Sequence, residues 1–228
     1  MPRKPRMFLS GVPCHVIQRG NNRSACFFCE DDYLFYLDCL GSALERYRVA
    51  LHAFVLMTNH VHLLMTPEDE YGIPRVMQSL GRRYVQYVNR TYRRSGTLWE
   101  GRYKASLVQA EDYLFACQRY IELNPVRAGM VEHPASYRRS SYRANAQAEA
   151  SELLTRHPLY EDLAGDAEGR AQAYRELFRH EIDPEQLRRL RQAAECSMPL
   201  GDSRFKTQIE TMLGRRIGHE KRGRPKRE

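Results

Sequence analysis

Phe54-Val55-Leu56-Met57-Thr58-Asn59-His60-Val61-His62-Leu63-Leu64 is the stretch from which the fold can be read. It lies in two apolar runs, Ala50 to Met57 and His60 to Met65, joined by Thr58 and Asn59 as in a tight hairpin between two strands. Strand alternation sends His60 and His62 to one face and Val61 to the other. Two imidazoles a few ångströms apart are half of a metal site; the plainer alternative is a pair of surface histidines at a strand start.

Working outward, His15 to Gln18 reads as a short strand ended by the turn residues Gly20, Asn21 and Asn22. Asp31 and Asp32 open a helix whose apolar side (Tyr33, Leu34, Leu37, Leu40, Leu44, Tyr47) keeps 3/4 spacing. A second helix is expected from about Gly72 to Arg94, and Ala105 to Val108 is a fourth strand. A third helix starts near Glu111 and stops at Asn124, because Pro125 removes a donor and disfavours helix just before it. The first six elements give the split βαβ, ferredoxin-like order: an α+β fold with an antiparallel sheet and helices on one face. Three regions are expected. Residues 1–145 form the sheet domain, 146–214 a helical extension with its last helix at Phe205 to Leu213, and 215–228 a basic, disordered tail.

The chain has 228 residues, with 36 Lys+Arg against 28 Asp+Glu and a net charge of +8. No apolar run approaches the ~18 residues of a membrane span, and Arg3, Lys4 and Arg6 are followed by too short an apolar stretch for a signal peptide. A cytoplasmic globular protein is expected. The charge falls in blocks. Arg75, Arg82, Arg83, Arg90, Arg93, Arg94, Arg102 and Lys104 are opposed in their segment by Glu100 alone. The last fourteen residues are also basic, and Glu149 to Glu185 between the two is acidic. That layout suits a polyanion-binding surface beside a scaffold, with ordinary solvated helix faces as the alternative. Cys26 and Cys29 form a single CxxC with no second pair to complete a zinc site, and Cys39 reads as a small core residue.

Tyr120 and Asn124 stand four residues apart on the third helix and so share a face. A phenol, ordinarily of pKa about 10, is a weak nucleophile near neutral pH. It can attack a phosphodiester when a cation binds the non-bridging oxygens. Fourteen tyrosines are present, and the residues alone do not single out Tyr120.

The segment Phe54 to Leu64 resembles the HUH motif of the single-tyrosine transposases. Arg119-Tyr120-Ile121-Glu122-Leu123-Asn124-Pro125-Val126-Arg127-Ala128-Gly129 resembles their catalytic-helix segment. Gly96 to Lys104 is similar to a segment of the REP-associated branch (RAYT), as are Pro199-Leu200-Gly201, Arg204-Phe205-Lys206 and Leu213-Gly214-Arg215-Arg216. The resemblance implies that His60, His62 and Asn124 bind Mg²⁺ or Mn²⁺ and that Tyr120 is the nucleophile. The implied reaction cuts single-stranded DNA beside a REP-type hairpin, leaving a 5′-phosphotyrosine and a free 3′-OH. It further implies a bacterial, nucleoid-associated protein acting as a monomer.

Arg82, Arg83, Arg90, Arg93, Arg94, Arg102 and Lys104 would then track the DNA backbone. Tyr84, Tyr87 and Tyr92 interleave with them as base platforms or as core. Arg119 and Arg127 are placed to contact the scissile strand. Lys221 to Arg227 resembles an AT-hook, in which Arg222 and Arg224 would enter a narrow minor groove, against a generic basic tail. Trp99 either supports the site or anchors its loop. His52 reads as a sheet residue. Two other functions compete: a domesticated REP-hairpin-binding protein without transposition, and a ferredoxin-like RNA-binding module, which lacks its usual strand aromatics here.

Overall fold

The computed structural model describes residues 6–214, 216 and 217. Four strands, β1 (Cys14–Arg19), β2 (Val49–Met57), β3 (His60–Pro67) and β4 (Lys104–Leu107), form one antiparallel sheet in the order β2-β3-β1-β4. Helix α1 (Glu30–Arg46) connects β1 to β2, and α2 (Gly72–Thr91) connects β3 to β4. This is the split βαβ arrangement that the element order predicts. The β2–β3 turn is Thr58-Asn59, which sets Met57 opposite His60 and Val55 opposite His62.

Strand β2 is buried from Leu51 to Met57 without alternation. A strand reads this way when both of its faces are covered. Val16, Phe54, Leu56, Val61 and Leu63 pack against Tyr36, Leu40 and Leu44 of α1 and Val76, Leu80, Tyr84 and Val88 of α2. Burying each such aliphatic side chain contributes about 1.5–3 kcal/mol over leaving it exposed. The opposite face, with Ala53, Val55, Met57 and Leu64, packs against α3 (Ala110–Glu122) through Leu114, Cys117 and Ile121. The expectation of helices on one face therefore holds for α1 and α2 alone, and α3 closes the other side.

Pro125 does not stop the helix at Asn124. Helix α3 ends at Glu122, and Pro125 sits in the first turn of a short helix, α4 (Asn124–Arg127). A proline is tolerated there because first-turn N–H groups have no intrahelical partner to lose. Beyond it lie α5 (Tyr142–Ala146), α6 (Pro158–Glu161), α7 (Ala167–Glu176), α8 (Pro184–Cys196) and α9 (Ser203–Leu213). Asp166, Asp183 and Asp202 cap α7, α8 and α9 through their carboxylates. Leu190 and Ala193 of α8 join the core on the α3 side of the sheet, and Ser106 of β4 donates to the Ala193 carbonyl at 2.7 Å. Leu200 donates to Leu107 O and accepts from Gln109 N, both at 2.8 Å. No helix among the described residues is long and apolar enough to cross a membrane.

Candidate active site

His60 and His62 project from the sheet face that α3 covers, with ring centroids 5.1 Å apart. Their positions follow from the short turn before them. Gly20 donates its N–H to the Asn59 carbonyl at 2.8 Å, and a Cβ there would lie 2.2 Å from the Ser24 carbonyl oxygen. Only glycine lets the loop after β1 fold back this tightly beside the turn. The Asn59 amide donates to Arg23 O at 3.0 Å, which turns its Oδ1 to the His60 Nδ1 at 2.6 Å. His62 is buried, and its Nδ1 lies 2.8 Å from Nε2 of His15 on the adjacent strand.

Burial, then the nearby Arg19 charge, lowers the His60 pKa to about 4, opposed by a hydrogen bond between the ring and the Asn124 side chain. Burial chiefly, then His15, His60, Arg127 and Arg19, holds His62 well below its ordinary 6.5. Both rings are therefore neutral near pH 7, the form that offers a lone pair to a cation.

Tyr120 reaches the same place from α3. Its ring centroid is 5.9 Å from that of His62 and 5.9 Å from that of His15. Asn124 donates to the Tyr120 carbonyl at 3.2 Å. The structure thus brings together His60, His62, Tyr120 and Asn124, which the sequence singles out separately. Arg127 donates to the same carbonyl, and its guanidinium carbon lies 4.2 Å above the Tyr120 ring, within cation–π range. Among the described residues no group of three or more His, Cys, Asp and Glu side chains is placed to hold a metal ion. Two neutral imidazoles with engaged Nδ1 atoms, beside one amide, nevertheless fit a divalent cation with Asn124 as third donor.

The remaining sequence candidates lie elsewhere. Arg119 faces the C-terminal extension, donating to the His180 carbonyl and lying 5.7 Å from the centre of the Phe178 ring. Arg82, Arg83, Arg90, Arg93 and Arg94 belong to α2 or the turn after it, and α2 packs on the sheet face opposite His60 and His62. They do not lie at this site, and Arg83 faces Asp38 at 3.4 Å. Arg102 and Lys104 are exposed, Lys104 at the start of β4 opposite Ile17. Arg222 and Arg224 lie outside the described residues.

Tyr84 is buried and donates to Cys26 O at 2.7 Å, while Tyr87 and Tyr92 donate to the buried Asp32. All three rings belong to the α1–α2 layer, and the burial of Tyr84 makes it core, while Tyr87 and Tyr92 are half-buried. Asp32 also accepts the Phe28 and Cys29 N–H groups, so Cys29 caps α1 and Cys26 is a buried thiol. Trp99 is 5% exposed and bridges to Gly20, anchoring its loop to the end of β1. His52 is a buried sheet residue, as expected, bonded to Thr155 O and Thr66 Oγ1.

Sequence reasoning missed His15 and Arg19 at the site and the environment of Glu122. Strand parity could have found the first two, since β1 pairs His15 with Leu64 and Arg19 with His60. Glu122 is fully buried and accepts from Ser141 at 2.5 Å, Asn145 at 2.8 Å and Tyr174 at 2.9 Å. These bonds tie the end of α3 to α5 and α7.

The fold has solved counterparts. A structure of a REP-associated tyrosine transposase bound to a REP hairpin shares it at 16% identity, covering 69% of this chain and 99% of that one with a TM-score of 0.55. A structure from Deinococcus radiodurans R1, described as a transposase, is 23% identical over 53% of this chain and 96% of that one, with a TM-score of 0.36. No curated protein matches the chain. The sequence model of the IS200-like transposases, however, matches residues 9–124, just over half of the 228. That span runs from before β1 through both site histidines to Tyr120 and Asn124, and the chain belongs to the IS200-like transposase family.

Proposed function

We propose that this protein cuts and rejoins single-stranded DNA beside a REP-type hairpin, using Tyr120 as the nucleophile. The observation that carries the reading is the meeting of Tyr120 with His60 and His62 on one sheet face in a chain of this family. The hairpin assignment is supported by the fold shared with a transposase bound to a REP hairpin.

In the proposed reaction the Tyr120 hydroxyl attacks the scissile phosphorus and gives up its proton to solvent. The bond from phosphorus to the 3′ oxygen breaks, and that oxygen takes up a proton to leave as a 3′-OH. The 5′-phosphate remains on Tyr120. Attack by a 3′-OH reverses the step, so the phosphodiester is conserved and no ATP is needed. His60, His62 and Asn124 would hold Mg²⁺ or Mn²⁺, which neutralises charge on the non-bridging oxygens as the bond changes partners. Arg127 keeps the Tyr120 ring under a fixed positive charge. Because Tyr120 meets the histidines of its own chain, a monomer can act in cis. A bacterial cytoplasmic, nucleoid-associated location accords with such a substrate.

The test is incubation of the full chain with a REP-type hairpin oligonucleotide and Mn²⁺. A denaturation-resistant protein–DNA adduct is expected with wild type and not with Tyr120→Phe. Hairpin binding without an adduct under any divalent metal would favour the domesticated DNA-binding reading instead.

A further inference from the structure

The structure assigns His15 as the positioning residue that fixes the ring and tautomer of His62, so that its Nε2 faces the cation site. This rests on the proposed metal role of His62. The two ring nitrogens are 2.8 Å apart, and both side chains are almost fully buried, His15 at 2% and His62 at 4% exposure. Only one proton fits between them. If it sits on His15 Nε2, the proton of neutral His62 moves to its own Nε2, and an N–H dipole opposes a cation there. If it sits on His62 Nδ1 and is donated to His15 Nε2, then His62 Nε2 is bare. Binding a cation at His62 Nε2 requires the second arrangement, with His15 as acceptor and its own proton on Nδ1.

His60 is arranged in the same sense by a different residue. Its Nδ1 donates to the Asn59 oxygen at 2.6 Å, whose orientation is settled by the bond from Asn59 Nδ2 to Arg23 O. In each case the backing group engages Nδ1 and leaves Nε2 as the nitrogen for a cation, with the Asn124 side chain hydrogen-bonded to the His60 ring as well. The backing groups come from opposite directions, Asn59 from the turn and His15 from the neighbouring strand. Strand pairing explains the second. His15 lies opposite Leu64, one alternation along the same face from His62, so its ring reaches His62 diagonally. The rings lie at 22° to one another with centroids 5.1 Å apart, and the Tyr120 ring lies 5.9 Å from each. A residue that moves the His62 ring therefore also moves the surface against which Tyr120 is set.

The test measures Mn²⁺ binding to the full chain by calorimetry, without DNA, in wild type, His15→Leu, His15→Gln and His62→Ala. Removing the acceptor in His15→Leu should weaken Mn²⁺ about 10–100-fold, the usual cost of losing a partner behind a metal ligand. His15→Gln, which restores an acceptor oxygen, should recover most of that loss, and metal-free hairpin binding should be unchanged in both. Wild-type Mn²⁺ affinity in a folded His15→Leu overturns the inference and leaves the metal centre standing. Equal Mn²⁺ binding by wild type and His62→Ala overturns the centre itself, and the role of His15 with it. Should His15→Leu fail to fold, ring ¹⁵N shifts of the Mg²⁺-loaded wild type decide the matter. His62 protonated on Nδ1 is expected, and His62 protonated on Nε2 overturns the inference.

Discussion

Towards α1 and α2 the sheet presents Val16, Phe54, Val61 and Leu63, and α1 contributes the buried Asp32, whose oxygens are taken by two backbone N–H groups and two tyrosine hydroxyls. Towards α3, α5 and α8 the same sheet buries His15, His62 and Ser106 alongside Gln118, Glu122 and Asn145. One layer is filled almost entirely by apolar and aromatic side chains. In the other, polar groups hold one another in fixed orientations, and the candidate chemistry sits there. The contrast teaches that the two layers hold different assets, stability on one side and aimed lone pairs on the other. Substitutions should separate the two.

The largest expected effect is on the polar side. His62→Gln should sharply reduce adduct formation on a hairpin oligonucleotide while lowering the thermal midpoint less than a core truncation does, because a polar side chain of comparable bulk replaces the imidazole and leaves no large cavity beside His15. Leu63→Ala, one residue away and on the other face, should do the reverse. It should cost about 2–5 kcal/mol in urea unfolding and leave the remaining folded enzyme cutting at the wild-type rate. If both variants lose both properties, the two faces are not separable.

Next comes the network at the end of the nucleophile's helix. Tyr174→Phe leaves one oxygen of Glu122 without its donor and should cost about 1–3 kcal/mol in the same assay.

The pH dependence sharpens the contrast further. Burial lowers His15 to about 3 and, for His52, to about 4 from the ordinary 6.5, so the unfolded chain binds their protons more tightly. Stability should fall as pH drops from about 6.5 towards 4, by up to about 1.4 kcal/mol per pH unit for each histidine. Glu122 acts in the opposite sense. Burial raises it from 4.5 to about 7 against the pull of Ser141, Asn145 and Tyr174. Its contribution is complete below 4.5 and is lost as pH rises towards 7. Glu122→Gln should therefore steepen the rise in melting temperature between pH 4.5 and 6.5.

The smallest expected effect belongs to Arg127. Arg127 is an exposed residue whose guanidinium rests on the Tyr120 ring, and Arg127→Ala should slow cleavage by about tenfold, as befits one cation–π contact beside the reacting group, with about 0.5 kcal/mol or less change in stability.

The architecture was legible because it rests on short-range signals: the Thr58-Asn59 turn, the alternation through His60 and His62, and the 3/4 spacing of α1. Pairing Tyr120 with those histidines came from likeness to a family, since helical spacing alone cannot say which sheet face a helix will cover. The rest depended on partners distant in sequence. His15 and His62 are 47 residues apart, and their contact follows from the register of two strands that are not joined by a hairpin. Arg119 looks like a free cation in sequence, but the carbonyl it meets is 61 residues away at His180. Tyr84, Tyr87 and Tyr92 alternate with arginines along α2. The arginines at 82, 83, 90 and 93 are exposed, while the three tyrosine hydroxyls turn to Cys26 and Asp32 on α1 and the segment before it.

The backbone bonds between Leu200 and the Leu107–Gln109 segment also affect how the chain is made. Strand β4 lies at an edge of the sheet, and a bare strand edge is a template for pairing with another copy. Leu200 is made some ninety residues after β4, so a chain ending before it would keep the sheet but leave the end of that edge without its backbone partner, open to a neighbouring copy.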